Sequence, residues 1–172
     1  MQQDPQKAKA RARKYRKRFL IKAAITAAAV YILCTQVICI RRAGGNSMFP
    51  AIKEGDLVIA YRIGRPSPGE AVLYKDDGGS EHFGRVAASA GMKVDINEDG
   101  YYVDGYHPSE EIFYPTEAAE NGGTQFPLIV PDDEFFILND FRPQVDDGRC
   151  NGCTKAEDII GTAVFILRRR GI

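Results

Sequence analysis

The sequence predicts a mainly β domain, a coiled sheet or barrel-like body, carried behind one N-terminal membrane helix. Three observations predict it. A basic head leads into an apolar run from Phe19 to Ile40. The rest of the chain breaks into short β-forming segments punctuated by Gly and Pro. No internal repeat, heptad or low-complexity tract interrupts that pattern. At 172 residues there is room for one domain of ordinary size.

Charge is distributed unevenly. Lys+Arg and Asp+Glu number 23 each, so the formal net charge is zero. The first 42 residues nevertheless carry 11 basic residues against Asp4 alone, and the remaining 130 carry 12 basic and 22 acidic. An acidic body without a basic stripe excludes nucleic acid as a partner, because phosphate contacts need clustered Lys and Arg.

Residues 1–18 read as a basic cytoplasmic segment and 19–40 as a transmembrane helix. Ala23 to Ile40 alone gives 18 residues, just enough to cross a hydrocarbon core of about 30 Å. Lys22 can snorkel to the headgroups. Eight basic residues between Lys7 and Arg18 face only Arg41 and Arg42 on the other flank, which sets the N-terminus in the cytoplasm. A cleaved signal peptide fits less well: the run is long, and Arg41-Arg42 stands where small residues should precede a cleavage site. An amphipathic surface helix is also disfavoured, since the run is apolar all round. Residues 41–172 then form an extracellular β domain.

Within that domain the expected strands are Asp56–Ile63, Glu70–Tyr74, Glu81–Ala87, Lys93–Ile96, Tyr101–Val103, Leu128–Val130, Glu134–Leu138 and Thr162–Leu167. Asn97-Glu98-Asp99-Gly100 and Asp104-Gly105 are turn signals. Residues 106–126 are polar and acidic and read as an exposed excursion. One short helical turn is expected near Lys155–Ile159, with Thr154 as its cap. Cys34 and Cys39 fall in the outer half of the span as small apolar residues. Cys150 and Cys153 are close enough in an exported domain for a disulfide, or remain free thiols. A metal site there would need two more ligands, and only His82 and His107 exist, so no metal and no cofactor are expected. A redox role for Cys150-Cys153 is a third, weaker functional reading.

The block Gly45-Asn46-Ser47-Met48-Phe49-Pro50, directly after a single span, resembles the nucleophile motif of type I signal peptidases, which are Ser/Lys-dyad membrane proteases. Further blocks follow in that family's order: Gly55-Asp56-Leu57-Val58, Pro68-Gly69-Glu70-Ala71-Val72, Phe83-Gly84-Arg85-Val86, and Asn139-Asp140-Phe141-Arg142 closing with Asp147-Gly148-Arg149. The resemblance covers nearly the whole chain and is strongest to the small Gram-positive members. It implies a coiled β domain, Ser47 as nucleophile position, and a scaffold role for Arg85, Asp140, Arg142, Asp147 and Arg149. A groove for extended polypeptide would be lined by Met48, Phe49, Pro50, Val58, Val86 and Val145.

The departures fall on the chemistry. The family's serine is activated by a lysine whose amine is kept neutral by apolar burial. The resemblance places Gly84 at that lysine and Val145 at the serine that orients it. Phe141 and Val145 are large enough to fill the space that the lysine vacates. His82, two residues before Gly84 and on the same strand face, is the substitute base to consider, offset by roughly 6.5 Å. Lys75 and Lys93 flank turns and read as solvated.

The resemblance is closest to signal-peptidase-like proteins of Gram-positive pilus loci with an incomplete dyad. These imply a non-catalytic chaperone role with pilin subunits or a sortase as partners. The alternative is an active peptidase that cuts exported preproteins with Ser47 and His82 or another base. Topology is checked by adding protease to intact protoplasts: everything beyond about residue 42 should be removed, whereas protection of the C-terminal part would invert the orientation.

Overall fold

The computed structural model describes residues 5–110, 112–120 and 123–168, in two compact units, 1–37 and 38–172. The first unit is one helix, α1 (Pro5–Ile32), that widens into a π-helical turn at Leu33–Val37. Arg13–Val37 is long and apolar enough to cross a membrane, its most apolar 18-residue window having a mean hydropathy of 1.7. Its large apolar side chains, Phe19, Leu20, Ile25 and Val30 among them, are exposed, which suits lipid contact rather than a soluble core. An N-terminal apolar helix of this kind fits a single-pass membrane anchor.

The second unit is mainly β. Its strands are β1 (Ile38–Arg42), β2 (Leu57–Tyr61), β3 (Ala71–Lys75), β4 (Glu81–Ser89), β5 (Lys93–Asn97), β6 (Gly100–Val103), β7 (Leu128–Ile129), β8 (Glu134–Leu138), β9 (Thr154–Lys155) and β10 (Ile159–Leu167). Seven form one antiparallel sheet in the order β1-β2-β10-β3-β4-β8-β9, and three form a smaller sheet, β6-β5-β7. Bulges between Val86 and Ala88 in β4 and between Ala163 and Phe165 in β10 increase twist locally, so the large sheet curls. The eight expected strands are all present, with ends shifted by a few residues.

Three elements lie outside the expectation: β1, β9 and a second helix. Ile38–Ile40, counted into the apolar span, belong to β1, and Cys39 is buried in the β core rather than in lipid. Apolar composition continues across the junction, so hydropathy alone cannot see where helix gives way to strand. The expected short helical turn is present as a 3-10 turn at Ala156–Asp158, but its expected cap, Thr154, lies in β9 and Lys155 takes the cap position. A further helix, α2 (Gly148–Asn151), also forms, capped by Asp147, whose carboxylate accepts from the Arg149 amide at 3.0 Å.

Three apolar clusters fill the unit. Met48, Ile52, Val58, Ala60, Leu73 and Phe83 form one, with Cys39 and Ala43. Ala88, Val94, Ile96, Val130, Phe136 and Leu138 join the two sheets. Val72, Tyr74, Val86, Phe135 and Ile137 form the third.

Charge is also buried. Asp147 holds Arg149 through Nε at 2.9 Å and Nη2 at 2.8 Å, and its Oδ2 accepts from the Asn139 amide at 2.9 Å. Arg85 grips Asp140 at 2.7 and 2.6 Å and donates to Gly69 O at 2.6 Å. Arg142, fully buried, pairs with Glu110 and Thr116. Described residues of the 106–126 excursion are thus bonded to the domain: Arg149 also reaches Glu117 O, and Thr124 donates to Gly148 O at 2.6 Å. Removing one member of a buried pair leaves the other charge uncompensated. Asp147→Ala should lower unfolding stability by about 3–5 kcal/mol in denaturant titration; a loss below about 1 kcal/mol would mean that Arg149 finds another partner.

Candidate functional site

Ser47 opens a tight turn that Met48 and Ile52 anchor in the core, with Ile52 N–H donating to Met48 O at 2.8 Å. Asn46 closes the turn by accepting from the Glu54 amide at 3.2 Å. The Phe141 amide donates to Ser47 O at 2.9 Å, so the block after β8 holds the serine backbone directly. The Ser47 hydroxyl donates to Phe83 O at 3.5 Å, a long bond to a carbonyl that cannot accept its proton.

Gly84 is buried on β4 opposite Val72. A Cβ built there would collide with Ile137 Cγ2 and lie 3.1 Å from Tyr74 Cε1 and 3.6 Å from Leu138 O. The place where a side chain would start is already occupied. Phe141 and Val145 are not the fillers. The Phe141 ring packs edge-on to Tyr114 at 5.1 Å, and Val145 is 38% exposed beside Pro115, Ala118 and Cys150.

His82 faces Tyr74 across the β3–β4 ladder, with ring centroids 6.0 Å apart. Its Nε2 lies 3.0 Å from Asp76 Oδ2 at the hairpin end. The Ser80 amide chiefly, together with His82, holds the Asp76 carboxyl below its usual range. Tyr74 is pushed up to about 12, first by burial and then by nearby Asp147, so its phenol stays protonated at neutral pH. His82 and Ser47 line the same cavity, yet no hydrogen bond joins them among the described residues. Lys75 and Lys93 are exposed at the ends of β3 and β5.

That cavity, about 160 Å³, lies between two strand edges and is lined by Arg41 to Gly45, Ser47, Met48, Ile52, Leu73 and Glu81 to Phe83. β1 is an edge strand. Ala43 bonds inward, to Asp56 O and from the Gly55 amide, so ladder alternation turns the Arg42 N–H and C=O to the open side. On β4, pairing with β8 begins only at Arg85. Phe83 O takes the serine hydroxyl, so Glu81 and Phe83 present their backbone groups to the same opening.

Not every expected groove residue reaches this cleft. Met48 does, and exposed Phe49 and half-buried Pro50 sit on the adjoining turn. Val58 and Val86 are fully buried core residues in separate clusters, because inward alternation on β2 and β4 carries them away from the surface. Val145 lines a different cavity. The edges at Arg42 and Glu81 carried no motif that composition could reveal. Cys150 and Cys153 are both free; Cys150 is exposed on α2, while Cys153 packs against the core. Burial pushes the Cys153 thiol up to about 11, which keeps it from acting as a thiolate near neutral pH. No group of metal-ligating side chains is assembled among the described residues.

A family model described as signal peptidase, peptidase S26, matches residues 16–168. The chain belongs to the signal peptidase family. Similar proteins include a probable signal peptidase I-1 of Synechocystis, 28% identical over 70% of this chain and 66% of its own length. Signal peptidase I of Bacillus licheniformis is 25% identical over 72% of this chain and 73% of its own. Signal peptidase IB of Staphylococcus aureus is 26% identical over 70% and 73%. The crystal structure of an Enterococcus faecalis signal peptidase I aligns with a TM-score of 0.47, at 24% identity, over 58% of this chain and 97% of that one.

Any side chain at position 84 would have to displace Ile137. Gly84→Ala alone should destabilise the domain by about 1–3 kcal/mol through overpacking, measured by thermal or denaturant unfolding. Gly84→Lys with Val145→Ser should neither fold normally nor cleave. A fully stable, active double variant would show that Ile137 and Tyr74 yield readily.

Proposed function

We propose that this signal peptidase-family protein holds extended polypeptide without cutting it, as an accessory or chaperone in sortase-dependent pilus assembly. Its membrane anchor would have the N-terminus in the cytoplasm and the β domain outside, with pilin subunits or a sortase as partners. One observation carries the reading. A Cβ at position 84 would collide with Ile137 and crowd Tyr74, while a cavity of about 160 Å³ remains beside Ser47. Main-chain groups at Arg42, Glu81 and Phe83 suit strand addition, which needs no reactive side chain. Ser47 then serves the turn, where a small hydrogen-bonding residue is favoured.

A second reading is favoured by a specific arrangement. Ser47 and His82 line one cavity, His82 is held by Asp76, and the relatives are named as peptidases. On that reading the chain cleaves exported preproteins with His82 as base. Loss of general-base help costs roughly 10²- to 10⁴-fold in rate, so the two readings differ widely. Purified full-length protein in detergent should leave a signal-peptide-bearing preprotein uncut, and Ser47→Ala should preserve the surface process it supports. Cleavage that disappears in His82→Ala or Ser47→Ala would establish the peptidase instead.

A further inference from the structure

β1 and β4 are separated in the sheet by β2, β10 and β3, yet Arg41 and Glu81 meet. Arg41 Nε donates to Glu81 Oε2 at 2.6 Å, and Nη2 to Oε1 at 3.2 Å. Both side chains lie on the inner face. Arg41 shares its strand face with buried Cys39 and Ala43 on β1, and Glu81 with buried Phe83 on β4. Both residues line the cavity that contains Ser47. The pair therefore spans the opening between the two free strand edges.

We propose that the Arg41–Glu81 pair is a gate across the Ser47 cleft, closed in the empty protein and opened by an incoming extended chain. The proposal rests on the strand-holding reading above. A chain that bonded the backbone of Arg42 on one side and of Glu81 and Phe83 on the other would lie where the paired side chains now cross. It must part them or pass beneath them.

The pair is poorly suited to be a structural staple. Its side chains are 43% and 34% exposed, and exposed pairs contribute little to stability. The curl is already fixed by continuous ladders, by the core around Met48 and Phe83, and by the Phe141 amide bond to Ser47 O. A weak, water-accessible contact over a cleft opens readily, and its effect is read in affinity, not in folding.

The test uses the full chain in detergent micelles and a fluorescein-labelled peptide of about ten residues, rich in alanine and threonine, followed by anisotropy. Arg41→Ala and Glu81→Ala should each bind it about two- to fivefold more tightly than the unmodified protein. The charge-swapped pair, Arg41→Glu with Glu81→Arg, should return towards the unmodified affinity. Raising salt from about 0.05 to about 0.5 M should tighten binding by the unmodified protein and not by the single variants. Equal or weaker binding by the single variants, or salt-tightening that persists in them, would overturn the gate while leaving strand holding intact. Absence of binding in every form, with folding confirmed by circular dichroism, would overturn both.

Discussion

Buried charge in the block from Asn139 to Arg149 is the constraint on which the rest of the domain depends. Asp147 neutralises Arg149 and fixes the Asn139 amide; Asp140 neutralises Arg85 on β4; and Arg142 draws in Glu110 and Thr116. Charges this deep are tolerated only when paired and hydrogen-bonded, so each pair fixes the relative position of two chain segments. Through the Phe141 amide the same block reaches Ser47. The serine turn, β4 and the polar excursion are thereby referred to a common frame.

On β4, ionic and apolar surroundings sit side by side. Arg85 points into the ion pair with Asp140, whereas its neighbour Gly84 abuts Ile137 and Tyr74 in an apolar cluster. A substitution at position 84 would act on that packing and not on the ionic frame. The cleft beside Ser47 is walled by backbone edges and by Met48, Ile52, Leu73 and Phe83.

Much of this was legible in the sequence. Short β segments ended by Gly and Pro located eight strands, and the ordered blocks located Ser47 and the charged residues of the last block. What stayed hidden depends on contacts between distant segments. β1 shares its apolar composition with the helix before it, so no change of hydropathy marks Ile38. The filling of the Gly84 site by Ile137 is a cross-strand contact more than fifty residues away, and Arg41–Glu81 spans forty. Val58 and Val86 looked like groove residues because their strands flank the motif; which face a strand residue occupies is settled only by register.

The central claim is that an extended chain docks between β1 and β4 and leaves uncut. Amide hydrogen exchange of the full chain, with and without a saturating signal-peptide-derived peptide, tests it most directly. The account predicts added protection at Arg42, Glu81 and Phe83, with the peptide recovered at its original mass. Protection confined to other segments, or recovery of two peptide fragments, would contradict it.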